Sequence, residues 1–383
     1  MATNHVLFAG GGAAGHLHAG LAVAAQLRQC SSQVEITFAG SGKPRERHII
    51  RTAGYHYSMV PSQPAPHNPI QALRFVTDNV AGYCAARWML SEQQISLVVG
   101  MGGYTSMSVV RAAVARGLPT LLLEQNAIPS RITRWISRSA AMICSGYEEV
   151  RPHLHVQAPL TVTGNPARPV FEHLYHSRQK ERGARSEERG TRNKGRLVIL
   201  GGAAGARSLN ESMPAALRQL GERLAGWQIV HQTGEGQLQE TEKRYRQNKI
   251  DALAVTYIDE IAPVLFASDL VVCRAGGTTL SELALAGIPA VLVPYPHASD
   301  DHQMANAKVV AAAQACRLIN ETSQAGSFDK ALAHELAPLI AGESLRLEMG
   351  RNMLRLARPE AASEIAAMIV SHLHGSSSDL QAA

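Results

Sequence analysis

Short apolar runs alternate with helix-like stretches along most of this chain. In the first half, HVLFAG, VEITFAG, SLVVGMGG, TLLLEQN and AMICSG are rich in β-branched residues and end in Gly, Ser or Asn. The second half repeats the arrangement with LVILGG, WQIVHQTG, AVTYID, LVVCRAGG and AVLVPYP. Strands that alternate with helices form parallel sheets that are covered on both faces. The pattern therefore predicts two doubly wound α/β domains, with ligands bound beyond the carboxyl ends of the strands.

The pentapeptide GGAAG occurs at 11–15 and again at 201–205, each time between a strand-like run and a helix-like stretch. A glycine-rich bend there presents backbone N–H groups at the positive end of the helix, where anions bind. Residues 10–15, GGGAAG, also satisfy the GxGxxG pattern of dinucleotide-binding dehydrogenases. That function requires an acidic residue at the end of the second strand, and the end of VEITFAGSGK offers Gly and Ser with no Asp or Glu. The two bends therefore favour phosphate binding in both halves over NAD binding.

Length and charge predict the domain boundaries. A chain of 383 residues favours two or more domains. Segment 177–196 contains eight Lys or Arg and three Glu, and so carries +5 of the net charge of +6. Because the remainder is nearly neutral, we expect no nucleic-acid partner and interpret the segment as a solvated linker. The predicted parts are an N-terminal domain at 1–175, a linker at 176–196, a C-terminal domain at 197–357, and a helix with a tail at 358–383.

The cysteines and the hydropathy restrict the class of protein further. Five cysteines are scattered along the chain without a CxxC pair: Cys30, Cys84, Cys144, Cys273 and Cys316. This spacing argues against a zinc site and a disulfide framework, and it suits a reducing cytoplasm. The sequence has no apolar run of about 18 residues, and its N-terminus enters a strand directly, so we expect neither a spanning helix nor a signal peptide.

Eight stretches within residues 6–310 carry a more specific pattern: AGGGAAGHLHAGLAVA, GMGGYTS, EQNAIPSR, TGNPAR, LGGAAGARSLN, YIDE, RAGGTTLSELALAGIPAVLVPYP and DDHQMANA. In this order they resemble the MurG family of bacterial glycosyltransferases. The resemblance implies the GT-B fold, in which two Rossmann-like domains face one another across a cleft. It also implies an inverting N-acetylglucosaminyltransferase of peptidoglycan synthesis. Its reaction would move GlcNAc from UDP-GlcNAc to the C4 hydroxyl of undecaprenyl-diphospho-MurNAc-pentapeptide, converting lipid I to lipid II.

The resemblance assigns a substrate to each half and a place in the cell. The N-terminal half would bind the lipid acceptor, the C-terminal half would bind UDP-GlcNAc, and the helix at 359–373 would return to the first domain. As a peripheral enzyme, the protein would lie on the anionic cytoplasmic face of the inner membrane. The apolar and aromatic positions of the segment at 69–90, PIQALRFVTDNVAGYCAARWML, are bracketed by Arg74 and Arg87. We expect this segment to pack mostly on the core, with a few side chains at the membrane.

The resemblance implies that no cofactor or metal is needed, because the family stabilises the departing diphosphate with a helix dipole and basic groups. Asp300, Asp301 and His302 could in principle bind a cation. Their DDHQ stretch, however, matches the family's donor-sugar loop, and we therefore expect no metal site.

In the C-terminal half, Glu282 would accept hydrogen bonds from both ribose hydroxyls, and the alternative is an ordinary first-turn Glu at a helix N-terminus. The backbone of Ile258 would meet the uracil. Arg168, which ends GNPAR, suits bidentate contact with a diphosphate, and the alternative is a surface Arg after a turn. For the sugar hydroxyls we favour Gln303 over His302, because an amide both donates and accepts. The predicted donor-binding residues are Arg168, Ala203, Ile258, Thr279, Glu282, His302 and Gln303.

His16 and Glu124 are the candidate catalytic residues. His16 lies where a positive helix end disfavours an imidazolium, so a neutral imidazole there can accept a proton from the acceptor hydroxyl. The alternative is that His16 only caps or orients the first bend, in which case Glu124 is the second candidate base. The predicted acceptor-binding residues are Gly12, Ala13, Ala14, Gly15, Tyr104, Ser106, Gln125 and Asn126.

Both bends depart from the family pattern. Ala13 and Ala14 stand where the family has Thr and Gly, and Ala203 and Ala204 stand where it has Ser and Gln. Backbone N–H groups survive these changes, although a Cβ at position 14 comes close to the expected acceptor diphosphate. Two other functions stay open: a GT-B enzyme with a different acceptor, such as a glycolipid or a small molecule, and a UDP-sugar-binding protein that has lost catalysis.

Overall fold

The computed structural model describes residues 4–11, 14–64, 68–154, 158–184, 195–202, 204–324 and 327–379. The chain divides into two compact units. Unit 1 comprises Met1–Pro169 with Arg358–Ala383, and unit 2 comprises Val170–Ala357. Within the described residues, each unit contains one parallel sheet covered by helices, as the alternating sequence pattern predicts.

The strands are short and run in the same direction within each sheet. The described strands of unit 1 are β1 His5–Gly10, β2 Glu35–Gly40, β3 His56–Met59, β4 Leu97–Gly102, β5 Thr120–Glu124, β6 Met142–Ser145 and β7 Leu160–Val162. Their spatial order is β3-β2-β1-β4-β5-β6-β7, and every pairing is parallel. The described strands of unit 2 are β8 Arg196–Leu200, β9 Gln228–Gln232, β10 Leu253–Val255, β11 Leu270–Cys273, β12 Ala290–Leu292 and β13 Cys316–Leu318. Their order is β10-β9-β8-β11-β12-β13, again parallel throughout.

Helices cover both sheets. The first seven are α1 Ala14–Cys30, α2 Pro44–Thr52, α3 Pro69–Glu92, α4 Tyr104–Val114, α5 Arg131–Ile136, α6 Pro169–Ala184 and α7 Arg207–Leu220. The others that the structure describes are α8 Leu238–Gln247, α9 Ile261–Phe266, α10 Gly277–Ala286, α11 His302–Ala312, α12 Phe328–Ala341, α13 Glu343–Arg355 and α14 Ala361–Asp379. Short 3-10 turns occur at Ser137–Ser139, Glu148–His153, Gly221–Leu224, Ser299–Asp301 and Glu321–Gln324.

The central strands explain why the apolar runs of the sequence are continuous rather than alternating. Val6, Leu7 and Phe8 of β1 are completely buried, because helices cover both faces of the sheet. In each unit the strand order reverses beside the first strand of the sheet, between β1 and β4 and between β8 and β11. Open α/β sheets bind ligands outside the carboxyl ends of the strands at such a switch point. Both glycine-rich bends follow these first strands.

The helix α14 belongs to unit 1, although unit 2 precedes it in the sequence. It presents an apolar stripe, spaced by three or four residues, that joins the core formed by α1 and the sheet. The buried residues of the stripe are Ala362, Ile365, Ala366, Ile369 and Leu373. Met368 of the same helix contacts Cys144 of β6, with its Sδ 3.7 Å from the Sγ.

The division of the chain differs from the predicted linker at 176–196. Helix α6 runs through the first part of that segment, 185–194 lies outside the described residues, and Arg196 already begins β8. Two contacts tie α6 to unit 2. Phe171 is buried with its ring 6.0 Å from that of Phe266, and Arg178 donates to the Ala286 carbonyl over 2.8 Å. The many charges of 177–196 led to the linker prediction, although Arg178, one of these charged residues, contacts unit 2.

Candidate active-site residues of the two units

The loops after β1 and β4 of unit 1 approach each other closely through glycines. Gly102 and Gly103 have φ angles of +97° and +83°, in the left-handed region that favours glycine. A Cβ on Gly103 would collide with the Gly11 carbonyl oxygen, and a Cβ on Gly102 would lie 3.2 Å from Cε1 of His16. The glycines of the GMGG motif therefore allow the first bend to contact the end of β4. They also allow the His16 imidazole to pack against the backbone there.

The first bend leads directly into α1, as its sequence predicts. Ala14 and Gly15 are the first two residues of α1, and the half-buried His16 is the third. Gly12 and Ala13, both predicted to bind the acceptor, lie outside the described residues. His16 therefore occupies the first turn of a helix at the carboxyl edge of the sheet, where the helix dipole acts on its ring.

Glu124 is a buried carboxyl group at the end of β5, with 4% of its surface exposed. Its Oε1 accepts hydrogen bonds from the backbone N–H of Asn126 at 3.0 Å and from Nδ2 of Asn126 at 3.2 Å. Burial raises the pKa of Glu124 to about 7, against the opposing effect of hydrogen bonds from Thr133, Asn126 and Ser130. A carboxyl group with this pKa exchanges its proton near neutral pH, as a general base must.

The side chain of Gln125 is hydrogen-bonded inside the protein. The residue is buried, and its Nε2 donates to the Met101 carbonyl over 3.4 Å. Its own carbonyl accepts a 2.9 Å hydrogen bond from Nδ2 of Asn165. Asn165 belongs to TGNPAR, so this loop anchors the segment that carries Glu124 and Asn126. The sequence reasoning missed Asn165. The acceptor contact predicted for Gln125 stays a prediction.

Tyr104 and Ser106, two further predicted acceptor contacts, have opposite environments. Tyr104 begins α4 and is 40% exposed, whereas Ser106 is completely buried. The Ser106 hydroxyl faces β4, where a Cβ on Gly100 would lie 2.9 Å from it. A side-chain contact of Ser106 with a bound acceptor does not fit this position, because the third residue of α4 faces the sheet.

Arg168 belongs to unit 1, whereas the other predicted donor-binding residues belong to unit 2. Burial, followed by the positive charges of Arg168 and Arg45, lowers the pKa of His18 to about 4. His18 in α1 is therefore neutral at pH 7, and the two arginines carry the positive charge near this part of the first bend. That charge is favourable for an anion such as a diphosphate.

An acidic residue does lie at the end of the second strand, although it comes from the next helix. Glu46 of α2 is buried and accepts hydrogen bonds from the N–H and Oγ of Ser41, each at 2.9 Å, and from the hydroxyl of Tyr57 at 3.3 Å. A Cβ on Gly11 would lie 2.7 Å from its Oε1. The Glu46 side chain thus packs against Gly11 at the start of the first bend. The sequence reasoning missed Glu46, which lies beyond the strand itself.

In unit 2, the second bend packs against the turn that follows β9. Gly205 and Gly234 have φ angles of +78° and +85°, and a Cβ on either would collide with the other loop. Nε2 of Gln237 donates to the Ala204 carbonyl over 3.3 Å. Ala203, predicted to bind the donor, lies outside the described residues.

Ile258 and Gln232 face each other at the carboxyl edge of the same sheet. The backbone N–H of Ile258 donates to Oε1 of Gln232 over 3.0 Å. The Gln232 Nε2 in turn donates to the Gly202 carbonyl over 3.0 Å. The sequence reasoning missed Gln232, which lies in a strand-like run with no motif of its own.

Glu282 and Thr279 lie on α10, which follows a glycine turn. Gly276 is the N-cap of this helix, and no side chain caps its first N–H groups. Glu282 is buried and is the sixth residue of α10, whose first turn contains no acidic residue. The alternative of an ordinary first-turn Glu is therefore wrong, because Glu282 lies a turn further on. Thr279, the third residue of α10, is half-buried beside Gly276.

The two candidate sugar contacts lie at the start of α11. Oε1 of Gln303 accepts hydrogen bonds from the backbone N–H groups of Ala275, at 3.2 Å, and Tyr295, at 2.9 Å. The oxygen thus holds two loops, and Nε2 is the part of the amide that can donate to a sugar hydroxyl. The expectation that the amide would both donate and accept does not fit this geometry. Nδ1 of His302 donates to the Ser299 carbonyl over 2.8 Å, which leaves Nε2 as the acceptor in the neutral ring.

Asp300 and Asp301, which precede these residues, both have φ angles of +52°, in the left-handed region. Strained backbone of this kind is common at ligand-binding loops. Across the part of the chain that the structure describes, no group of three or more His, Cys, Asp or Glu side chains is arranged to hold a metal ion.

Two family models match the chain. The glycosyltransferase family 28 N-terminal domain matches residues 6–145, and the glycosyltransferase family 28 C-terminal domain matches residues 196–365. Each match corresponds to one of the two sheets, because the first match ends at β6 of unit 1 and the second begins at β8 of unit 2.

Curated relatives are similar over nearly the whole chain. A protein of Acidithiobacillus ferrooxidans is 36% identical over 370 residues, which cover 95% of this chain and 97% of the relative. A protein of Geobacter sulfurreducens is 33% identical over 362 residues, covering 94% and 96% respectively. Both are named UDP-N-acetylglucosamine--N-acetylmuramyl-(pentapeptide) pyrophosphoryl-undecaprenol N-acetylglucosamine transferase.

A solved structure of this class is also similar. The crystal structure of Acinetobacter baumannii MurG superimposes with a TM-score of 0.73 at 26% sequence identity, covering 96% of this chain and 99% of that one. The fold is therefore GT-B, with two parallel-sheet α/β domains. Together with the matched domains and the full-length relatives, it shows that the chain belongs to glycosyltransferase family 28 and, within it, to the MurG family.

Proposed function

We propose that the chain transfers GlcNAc from UDP-GlcNAc to the C4 hydroxyl of undecaprenyl-diphospho-MurNAc-pentapeptide, with inversion and without a metal or other cofactor. The names of the full-length relatives support these substrates. The observation that carries the chemistry is the buried Glu124, whose pKa of about 7 suits a general base.

In the proposed reaction, the Glu124 carboxylate takes the proton of the C4 hydroxyl as its oxygen attacks the anomeric carbon of GlcNAc. The bond between that carbon and the β-phosphate oxygen breaks, and its electron pair leaves with UDP. Asn126 orients Glu124 through its two hydrogen bonds. His16, whose ring packs on Gly102, would orient the acceptor rather than accept its proton.

The donor would bind to unit 2 at the carboxyl edge of its sheet. The second glycine-rich bend, after β8, and the uncapped first turn of α10 would offer N–H groups to the diphosphate. The α10 carboxylate of Glu282 would bind the ribose hydroxyls. Ile258 would contact the uracil, and Nε2 of Gln303 would donate to the sugar. The motif of Arg168, which belongs to unit 1, predicts that its positive charge stabilises the leaving group.

UDP release from UDP-GlcNAc, with and without a lipid-linked muramyl-pentapeptide analogue, tests this function. We expect release that depends on the acceptor. Tight donor binding without release, across several acceptor lengths, would instead favour a UDP-sugar-binding protein. Release that requires a different glycolipid would favour the other GT-B alternative.

Helix α3 carries an exposed apolar stripe that supports binding to the cytoplasmic face of the inner membrane. Leu73 and Trp88 are each 68% exposed, and Val76 and Val80 each 58%. The opposite face of α3 packs against α4, with Ala86, Met89 and Leu90 buried. Within the described residues, no helix has the length and apolarity needed to cross a membrane.

We propose that this stripe, flanked by the exposed Arg74 and Arg87, contacts an anionic bilayer. The test is sedimentation with vesicles of phosphatidylglycerol and phosphatidylethanolamine. Val80→Asp should reduce binding several-fold, whereas Gln71→Asp, the same charge change at an exposed position on the other side of α3, should reduce it less. Equal losses in the two variants would mean that charge alone, and not the stripe, determines binding.

A further inference from the structure

Gln232 ends β9 and is 5% exposed, and its side chain joins two loops that follow other strands, β8 and β10. Its Nε2 donates to the Gly202 carbonyl and its Oε1 accepts from the Ile258 N–H, each at 3.0 Å. The Gln232 carbonyl also accepts a 3.2 Å hydrogen bond from the Gly201 N–H. One residue therefore contacts both the second glycine-rich bend and the segment after β10.

The sheet order explains why a side chain is needed for this connection. β9 lies between β8, which leads into the second bend, and β10, which leads to Ile258. Neighbouring strands are about 4.8 Å apart, so the two outer loops begin about 10 Å from each other. Backbone groups cannot hydrogen-bond over that distance. A glutamine on the middle strand, with a donor and an acceptor at its tip, can reach both loops.

We infer that Gln232 is a positioning residue that sets the spacing between the phosphate-binding bend and the backbone that meets the uracil. This inference rests on the proposed donor site of unit 2. A buried amide that is hydrogen-bonded on both sides has one orientation, because reversing it would place like groups against the Gly202 carbonyl and the Ile258 N–H. Its acceptor holds the base-binding segment and its donor holds the bend, so the two ends of a bound UDP depend on different atoms of the same side chain.

Two substitutions of Gln232 separate these roles. Gln232→Leu removes both hydrogen bonds, whereas the nearly isosteric Gln232→Glu keeps an acceptor for Ile258 and loses the donor to Gly202. Gln237→Leu is the matched control, because Gln237 bonds to the same bend at Ala204 and no described bond joins it to Ile258. Calorimetric affinities for uridine and for UDP then report on the base-binding segment and on the whole site.

We expect Gln232→Leu to weaken both uridine and UDP, with UDP affinity falling on the order of tenfold. Gln232→Glu and Gln237→Leu should weaken UDP while keeping uridine affinity within about twofold of the unchanged protein. Rescue of uridine binding by Glu is the result that a merely structural role does not produce. Parallel loss of both ligands in Gln232→Leu and Gln232→Glu, or no change in either, would overturn the inference.

The binding measurements and the UDP-release assay together distinguish this inference from the transferase proposal. If the unchanged protein binds UDP but never releases it from UDP-GlcNAc with any lipid acceptor, the transferase proposal fails. The positioning role is then still decided by the variants. If the unchanged protein binds neither uridine nor UDP, the donor site and the role of Gln232 are both wrong.

Discussion

Replacing Glu124 by Gln should lower the activity, and it should also remove a loss of stability that occurs as pH rises. One pKa unit corresponds to about 1.4 kcal/mol. A rise from the usual 4.5 to about 7 therefore makes the ionised carboxyl about 3 kcal/mol less favourable in the folded protein than in the unfolded chain. Between these two values the folded protein binds more protons than the unfolded chain. The free energy of unfolding consequently falls as pH rises from about 4.5 to about 7, and then becomes level.

A glutamine side chain cannot ionise, so in Glu124→Gln this pH dependence should disappear. Chemical denaturation at pH 4 and pH 8 measures it. The free energy of unfolding of the variant minus that of the unchanged protein should be about 3 kcal/mol larger at pH 8 than at pH 4. An unchanged difference between the two pH values would show that Glu124 titrates near its usual pKa and is not poised as a base.

The same substitution should lower kcat, although it removes the loss of stability at high pH. In the unchanged protein kcat should rise with pH around a midpoint of about 7, as the carboxylate forms. Glu124→Gln should lower kcat by about 100-fold to 10,000-fold and abolish that midpoint. Glu282→Gln is the control, because it should raise KM for UDP-GlcNAc and leave the midpoint in place. If His16→Asn abolishes the midpoint and Glu124→Gln does not, His16 is the base.

Three further changes test other parts of the structure. Gly102→Ala should displace the His16 ring and strain a left-handed backbone position. We expect a larger relative effect on kcat, measured by steady-state kinetics, than on Tm, measured by thermal unfolding. Arg168→Ala should lower kcat about 100-fold by removing charge from the leaving diphosphate, and full turnover in that variant would refute the assignment. Ile365→Ala should cost about 2–5 kcal/mol of unfolding free energy, measured by denaturation, because it empties part of the α1–α14 core.

The sequence predicted the fold well because the signals for it are local. Runs such as HVLFAG have the length, the β-branched residues and the terminal glycine of a buried parallel strand, and the structure has β1 at His5–Gly10. The ordered motifs also predicted the family correctly. These features depend on neighbouring residues, so they can be read without knowing the tertiary structure.

The orientations of the predicted site residues could not be obtained in this way. Ser106 lies in the first turn of α4 and Gln125 directly follows β5, and both side chains are buried, Gln125 by its hydrogen bond to the Met101 carbonyl. Glu46 and Gln232 act on glycine-rich bends that are distant in sequence, and neither belongs to a motif. The roles of the predicted site residues stay predictions, because they depend on bound substrates.

The position of α14 has a consequence for the order in which the protein matures on the ribosome. Residues 361–379 emerge only after all of unit 2 has been synthesised, yet they cover the apolar face of α1 near Leu17 and Leu27. Domains generally fold as units during synthesis, so unit 2 can finish before unit 1, although unit 1 begins earlier. Until then the nascent chain exposes an apolar patch that a chaperone must shield or the last helix must cover.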